Sequence, residues 1–127
     1  MADREEQDPL TFAVIGAAME VHRHLGPGLL ESLYHRAMLV ELALRGIPFR
    51  SQEPVEVYYK EQSLGNDLRI DLLVQGELIV EMKSVDELHP VHEAQLMTYM
   101  KLTSLKKGLL LNFNSTLLKN GIRRRVL

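Results

Sequence analysis

Residues 69–85 read RIDLLVQGELIVEMKSV: two apolar runs about a Gln-Gly pair, with Asp71, Glu81 and Lys83 inside the runs instead of at their ends. Apolar runs of this length around a turn signal have strand character, and together they predict an antiparallel hairpin. Strand side chains alternate, so Glu81 and Lys83 share a face while Val80 and Met82 point the other way. The turn decides whether Asp71 joins them. A loop centred on Gly76 sets Asp71 directly opposite Glu81, whereas a two-residue loop at Gln75-Gly76 shifts the register by one and turns Asp71 away from both. In the first register two carboxylates stand opposed on neighbouring strands and repel, and burying them unpaired costs several kcal/mol. Lys83 offsets one charge only. A divalent cation is the natural second partner, because Mg²⁺ or Mn²⁺ takes carboxylate oxygens and keeps waters for chemistry. If the same face is open to solvent, the three charges are a surface ladder and need no ion.

The rest of the chain supplies helices for such a sheet. Asp8-Pro9 is a helix start, with Asp as N-cap and Pro at the first helical position, and Leu10, Val14, Ala17, Val21 and Leu25 then recur at helical spacing. GPG at 26–28 interrupts, and LLESLYHRAMLVELALR (29–45) predicts a second helix closed by Gly46, with Pro48 beyond. Strand character follows in PVEVYY (54–59), LRIDLLV (68–74), ELIVEMK (77–83) and GLLLNF (108–113). HPVHEAQLMTYMKLTSL (89–105) is helical in length, and IRRRVL after the turn KNG allows a short last strand. The order α-α-β-β-β-α-β predicts an α/β sandwich, a central sheet flanked by helices that bury its middle strands.

The chain of 127 residues is expected to be one domain, 1–127, with one core. No apolar run approaches a membrane span, and MADREEQDPL is acidic where a secretory leader would be basic and then apolar. Without cysteine there is neither a disulfide framework nor a thiolate metal site, and a cytoplasmic location is the default. The net charge of −2 conceals an asymmetry. From Ala94 onward there is no acid and there are seven bases, Lys101, Lys106, Lys107, Lys119, Arg123, Arg124 and Arg125. The first 93 residues carry the other eight bases and all seventeen acids, a balance of −9. A basic end can meet phosphate, or it can be a solvated tail.

Three separated motifs narrow the reading. LGPGLLESLY precedes the hairpin, and EAQLMTYMKL follows it. Together they resemble the family named for Gly-x-x-Glu-x-x-Tyr, matched here by Gly28, Glu31 and Tyr34, within the PD-(D/E)xK or restriction-endonuclease-like nuclease superfamily. The resemblance runs from about Leu10 to Phe113 and implies the restriction-endonuclease-like form of the sandwich, with a mixed sheet. It also implies that Asp71 and Glu81 are metal-binding carboxylates, that Lys83 is the catalytic lysine and that Glu31 is an acidic group offered by the second helix. Gln95 and Tyr99 match the Gln-x-x-x-Tyr motif of the RecB-like branch, and Ile70 stands where the superfamily name has proline.

On this reading the protein is a Mg²⁺- or Mn²⁺-dependent nuclease hydrolysing phosphodiester bonds, of DNA more readily than RNA. Asp71, Glu81, Glu31 and the Met82 backbone carbonyl hold the ion, and Gln95 donates to a water or a phosphate. Glu31 falls in the first turn of its helix, where the positive dipole end favours a carboxylate. Tyr34 is expected to pack with its hydroxyl satisfied. His22 shares an apolar helix face and is read as a core histidine with metal ligation as the rival, while His89 and His92 suit a helix entrance. RRR at 123–125 could follow a nucleic-acid backbone, and a homodimer could supply more binding surface. Two other readings stay open, a non-catalytic nucleic-acid- or partner-binding module retaining the nuclease fold and a purely structural α/β domain.

Overall fold

The structure is a computed structural model and describes residues 8–127; the expectation drawn from MADREEQ falls on residues 1–7, outside the described residues. Helix α1 (Pro9–Leu25) begins behind an extended Asp8, whose carboxylate is engaged by the Thr11 hydroxyl and by Lys107 Nζ at 3.0 Å. Helix α2 (Glu31–Leu44) follows after a loop in which Gly28 takes φ +96°, a value side chains rarely adopt. Tyr34 secures that loop: its hydroxyl donates to Gly26 O at 2.5 Å and accepts from Leu29 N at 3.1 Å, and its buried ring stacks on Phe113 at 4.7 Å.

The strands are β1 (Phe49–Val55), β2 (Tyr58–Tyr59), β3 (Gln62–Ser63), β4 (Leu68–Val74) and β5 (Leu78–Lys83), then, after helix α3 (Pro90–Thr103), β6 (Lys107–Asn112) and β7 (Ile122–Val126). The strand expected at 54–59 is a correction. β1 starts earlier and stops at Val55, and Tyr58–Tyr59 fold back on Gln62–Ser63 as a separate ribbon through Lys60 and Glu61, both at positive φ. β1 is the outer strand of the main sheet, where Pro54 can sit without costing a ladder bond.

The main sheet has the order β1-β4-β5-β6-β7, with β5 and β6 parallel around α3 and the other neighbours antiparallel. Its two faces build two cores. Leu72, Val74, Leu78, Val80, Met82, Leu109 and Leu111 pack under α1 and α2, while Ile79 and Leu110 pack under Leu96, Tyr99 and Met100 of α3. The central strands are thus covered on both sides, as the α/β sandwich requires. In the hairpin, Leu72 pairs with Val80, Leu73 with Ile79 and Val74 with Leu78. That is the register centred on Gly76. Gln75 and Gly76 both have positive φ, Glu77 N donates to Val74 O at 3.0 Å, and Glu77 is the extra residue that keeps Asp71 in line with Glu81. Among the described residues no helix is long and apolar enough to cross a membrane.

Candidate active site

The site forms where β4 loses its regular pairing. The ladder to β5 ends at Leu72–Val80, and the ladder to β1 passes from Ser51–Leu72 to Glu53–Ile70 across Gln52, whose φ is +53°. Asp71 lies in this interruption, and its Oδ2 accepts the Met82 N–H at 2.9 Å. Within a strand the N–H and C=O of one residue point the same way and those of the next residue the opposite way. Lys83 O is taken on the β6 side by Phe113 N at 2.9 Å. The Met82 carbonyl is therefore directed to the β4 side, into the gap that Asp71 occupies.

Glu81 is 5% exposed, and its Oε1 is fully buried with no hydrogen-bond partner among the described residues. Burial foremost, then the Asp71 carboxylate beside it, push the Glu81 carboxyl up to about 9, with Lys83 pulling the other way. Burial and the neighbouring carboxylate thus both favour the protonated form of Glu81 when no cation is bound. The surface-ladder alternative therefore fails at Glu81, because the side chain is inside the molecule.

Lys83 is half-buried, and its ammonium acts on three elements at once: it lowers Glu81 on β5, Glu31 on α2 and His92 on α3. Its backbone is clamped from both sides. The buried Asn112 amide, paired with Lys83 across the β5–β6 ladder, donates to Val85 O at 2.9 Å and accepts from Val85 N at 3.0 Å. Ser84 Oγ donates to Leu29 O at 2.6 Å, which ties the end of β5 to the entrance of α2.

That entrance carries Glu31 as the first residue of α2, exposed at the rim. Partial desolvation holds its carboxyl above the ordinary value, and Asp71 adds to this against Lys83 and His35. A groove of about 420 Å³ is lined by Glu31, Ser32, His35, Arg36, Gln52 and Asp71. On the other side, His92, Gln95 and Tyr99 form one stripe of α3. The Tyr99 phenol is raised by burial first and then by Glu81 and Asp71, and Gln95 Nε2 donates to its hydroxyl at 3.0 Å. Gly108 lets α3 lie this close to the sheet, since a Cβ there would stand 2.5 Å from Met100 Sδ and 2.9 Å from Leu96 Cδ1.

Asp71, Glu81, Lys83, Gln95 and Tyr99 are thus brought together, with Glu31 on the flank. Among the described residues no three His, Cys, Asp or Glu side chains converge as a ready cation cage. His22 is elsewhere: its Nε2 bonds Ser115 O at 2.8 Å. Arg123 and Arg125 both pair with Glu93 on α3, at 3.3 and 2.7 Å. His89 and His92 form the capping box of α3, as a helix entrance suggests, with His92 Nδ1 accepting from His89 N at 3.0 Å. What the motif reading missed is that His92 also stands by Lys83, and that Asn112 and Ser84 fix the strand end. A buried Asn inside GLLLNF was the available signal for Asn112; nothing local announces the other two.

Two carboxylates and a strand carbonyl turned toward one gap are hard oxygen donors, the type Mg²⁺ accepts while keeping several waters. The partnerless Glu81 Oε1 is the donor that such an ion would satisfy. The chain matches the model of the PD-(D/E)XK nuclease superfamily over residues 8–125. No curated protein and no solved structure gave a match.

Proposed function

Because the chain belongs to the PD-(D/E)XK nuclease superfamily, we propose that it hydrolyses phosphodiester bonds of nucleic acid, DNA in preference to RNA, with Mg²⁺ or Mn²⁺ held by Asp71, Glu81 and the Met82 carbonyl. Gly28, Glu31 and Tyr34, with Gln95 and Tyr99, align it with the Gly-x-x-Glu-x-x-Tyr group of the RecB-like branch. The observation that carries the reading is Glu81 Oε1, an acid oxygen buried beside a second carboxylate and without a hydrogen-bond partner among the described residues. A fold gains no stability from such a group, and a cation explains its presence.

A divalent ion bound there supplies Lewis-acid stabilisation of the charge that develops on phosphoryl oxygens and makes an attacking water more acidic. The chain's own residues do the rest. Glu81 must give up its proton before it can act as a ligand, so occupancy rises with pH. Lys83, pinned by the Asn112 and Ser84 bonds, aims three donors at the reacting phosphate and stabilises charge there. Gln95 donates to a substrate phosphate, with its amide oriented by Tyr99. Glu31, at the rim of the groove, orients water or a second ion at its helix N-terminus.

The test is cleavage of single-stranded, double-stranded and branched DNA and of RNA, with and without Mn²⁺, by wild type and by Asp71→Asn. Metal-dependent cleavage lost in the variant supports the reading. The lack of a third converging acidic or imidazole group among the described residues favours a second one, a binding module that keeps the fold without turnover. Binding of nucleic acid without cleavage in any metal would select it.

A further inference from the structure

Helix α2 buries one side, through Tyr34, Met38 and Leu42, and presents a second apolar stripe that is exposed except at Ala37, which is half-buried against the core. Beginning at its N-cap, Leu30, Leu33, Ala37, Val40 and Leu44 follow one another at spacings that alternate between three and four. This is the a/d repeat of a coiled-coil seam, and it lies beside the core-facing stripe instead of within it. Four of its members are exposed, Leu30 at 72%, Leu33 at 38%, Val40 at 60% and Leu44 at 76%, along the N-cap and length of one helix. Single exposed leucines need no explanation, but four large apolar side chains along one helix face mark an interface.

We infer that α2 is a homodimer interface in which the seam pairs in parallel with the same seam of a second copy of this chain. Charge selects both the occupant and the orientation. Arg36 lies at a g position on the edge of the seam that borders the groove and makes no ion pair or hydrogen bond among the described residues, while Glu41 lies on the opposite edge at an e position. In a parallel pair a g residue meets the e residue five positions on in the partner, which sets each Arg36 against the other copy's Glu41. Glu41 already holds its own Arg45 at 2.7 Å, so the second guanidinium completes a three-membered network. An antiparallel pair would place Arg36 on the same edge as its own copy, with like charges together.

The seam is short, and an isolated peptide of this length would be a marginal helix. Here the helix is already ordered by the core, so association carries no folding cost, which is the advantage of preorganisation. The contact is isologous and closes as a two-fold dimer. Because Glu31 stands in the first turn of α2, parallel pairing brings both grooves to the same end of the dimer.

The test is sedimentation equilibrium across low to high micromolar concentration on wild type, Val40→Glu, Arg36→Glu and the double variant Arg36→Glu/Glu41→Arg, each with a melting curve. Wild type should reach twice the 14.5 kDa chain mass. Val40→Glu should weaken the dimer roughly tenfold or more, while its melting temperature at concentrations where both proteins are monomeric should equal that of wild type, since the residue is exposed. Arg36→Glu should weaken it by a smaller factor, and the double variant should recover most of that loss. A wild type that stays monomeric, or a dimer indifferent to Val40→Glu, overturns the interface. A double variant no tighter than Arg36→Glu, with its fold intact, overturns the parallel orientation.

Discussion

Replacing Glu81 with glutamine should abolish a pH dependence of stability that the wild type carries in the absence of metal. The carboxyl is pushed from 4.5 to about 9, by burial first and by Asp71 second. Between those values the folded protein holds a proton that the unfolded chain has released. Stability is therefore fully present below about 4.5 and falls as pH rises toward 9. One proton gives a slope of at most about 1.4 kcal/mol per pH unit, or about 4 kcal/mol between pH 5 and pH 8. Against a total of about 5–15 kcal/mol this is a large fraction. Glutamine has nearly the same shape, carries no titrating proton, and can donate an N–H to Asp71. Glu81→Gln should match wild type near pH 5 and exceed it increasingly toward pH 8. The chain has no tryptophan, so urea unfolding followed by far-ultraviolet circular dichroism, with chelator present, is the assay. The difference between the two proteins isolates Glu81 from every other titrating group. Should that difference stay constant from pH 5 to pH 8, Glu81 does not hold a proton in the folded state and the reasoning fails.

Adding Mn²⁺ should raise the melting temperature of wild type, more at pH 8 than at pH 6 because the ion displaces the Glu81 proton, and should leave Asp71→Asn unmoved; equal shifts in both proteins would put the ion elsewhere. Lys83→Ala should keep the fold and metal response while single-turnover cleavage falls by about two orders of magnitude, and Lys83→Arg should rescue poorly because a planar guanidinium cannot replace a compact ammonium; a folded Lys83→Ala that cleaves at the wild-type rate removes its role. Tyr34→Phe deletes the hydroxyl joining Gly26 O and Leu29 N and should cost about 1–3 kcal/mol in urea unfolding, whereas a loss near zero would mean the loop holds Glu31 without it.

The hairpin was legible in the sequence because its constraints are local: the Gly76 turn and the period of two limit Asp71 to one of two faces, and the structure has the register that opposes it to Glu81. The GPG loop and the motif around Tyr34 were legible for the same reason. The strand at 54–59 was misjudged because PVEVYY has β character throughout, whereas the main-sheet strand ends at Val55 and Tyr58–Tyr59 pair with Gln62–Ser63 instead. The turn that allows this second pairing, Lys60-Glu61 at positive φ, has no glycine to announce it. The ion pairs of Arg123 and Arg125 were not legible, because their partner Glu93 lies on another element and meets them only once α3 has packed beside β7. His92 escaped notice because its capping role is sufficient locally, and its proximity to Lys83 exists only in three dimensions. Glu31 was identified from its motif, yet its distance from Glu81 depends on how α2 meets the sheet, and no spacing in the chain encodes that.

Anomalous diffraction from crystals grown or soaked in Mn²⁺ at pH 8 tests the central claim most directly, because it locates the ion without requiring turnover. The account predicts one strong peak in the gap between β4 and β5, within about 2–2.5 Å of Asp71 and Glu81 oxygens and of the Met82 carbonyl, with Glu81 Oε1 now partnered. A well-ordered site lacking any peak, or a peak at His22 or along the exposed acids with Asp71 and Glu81 untouched, would contradict it.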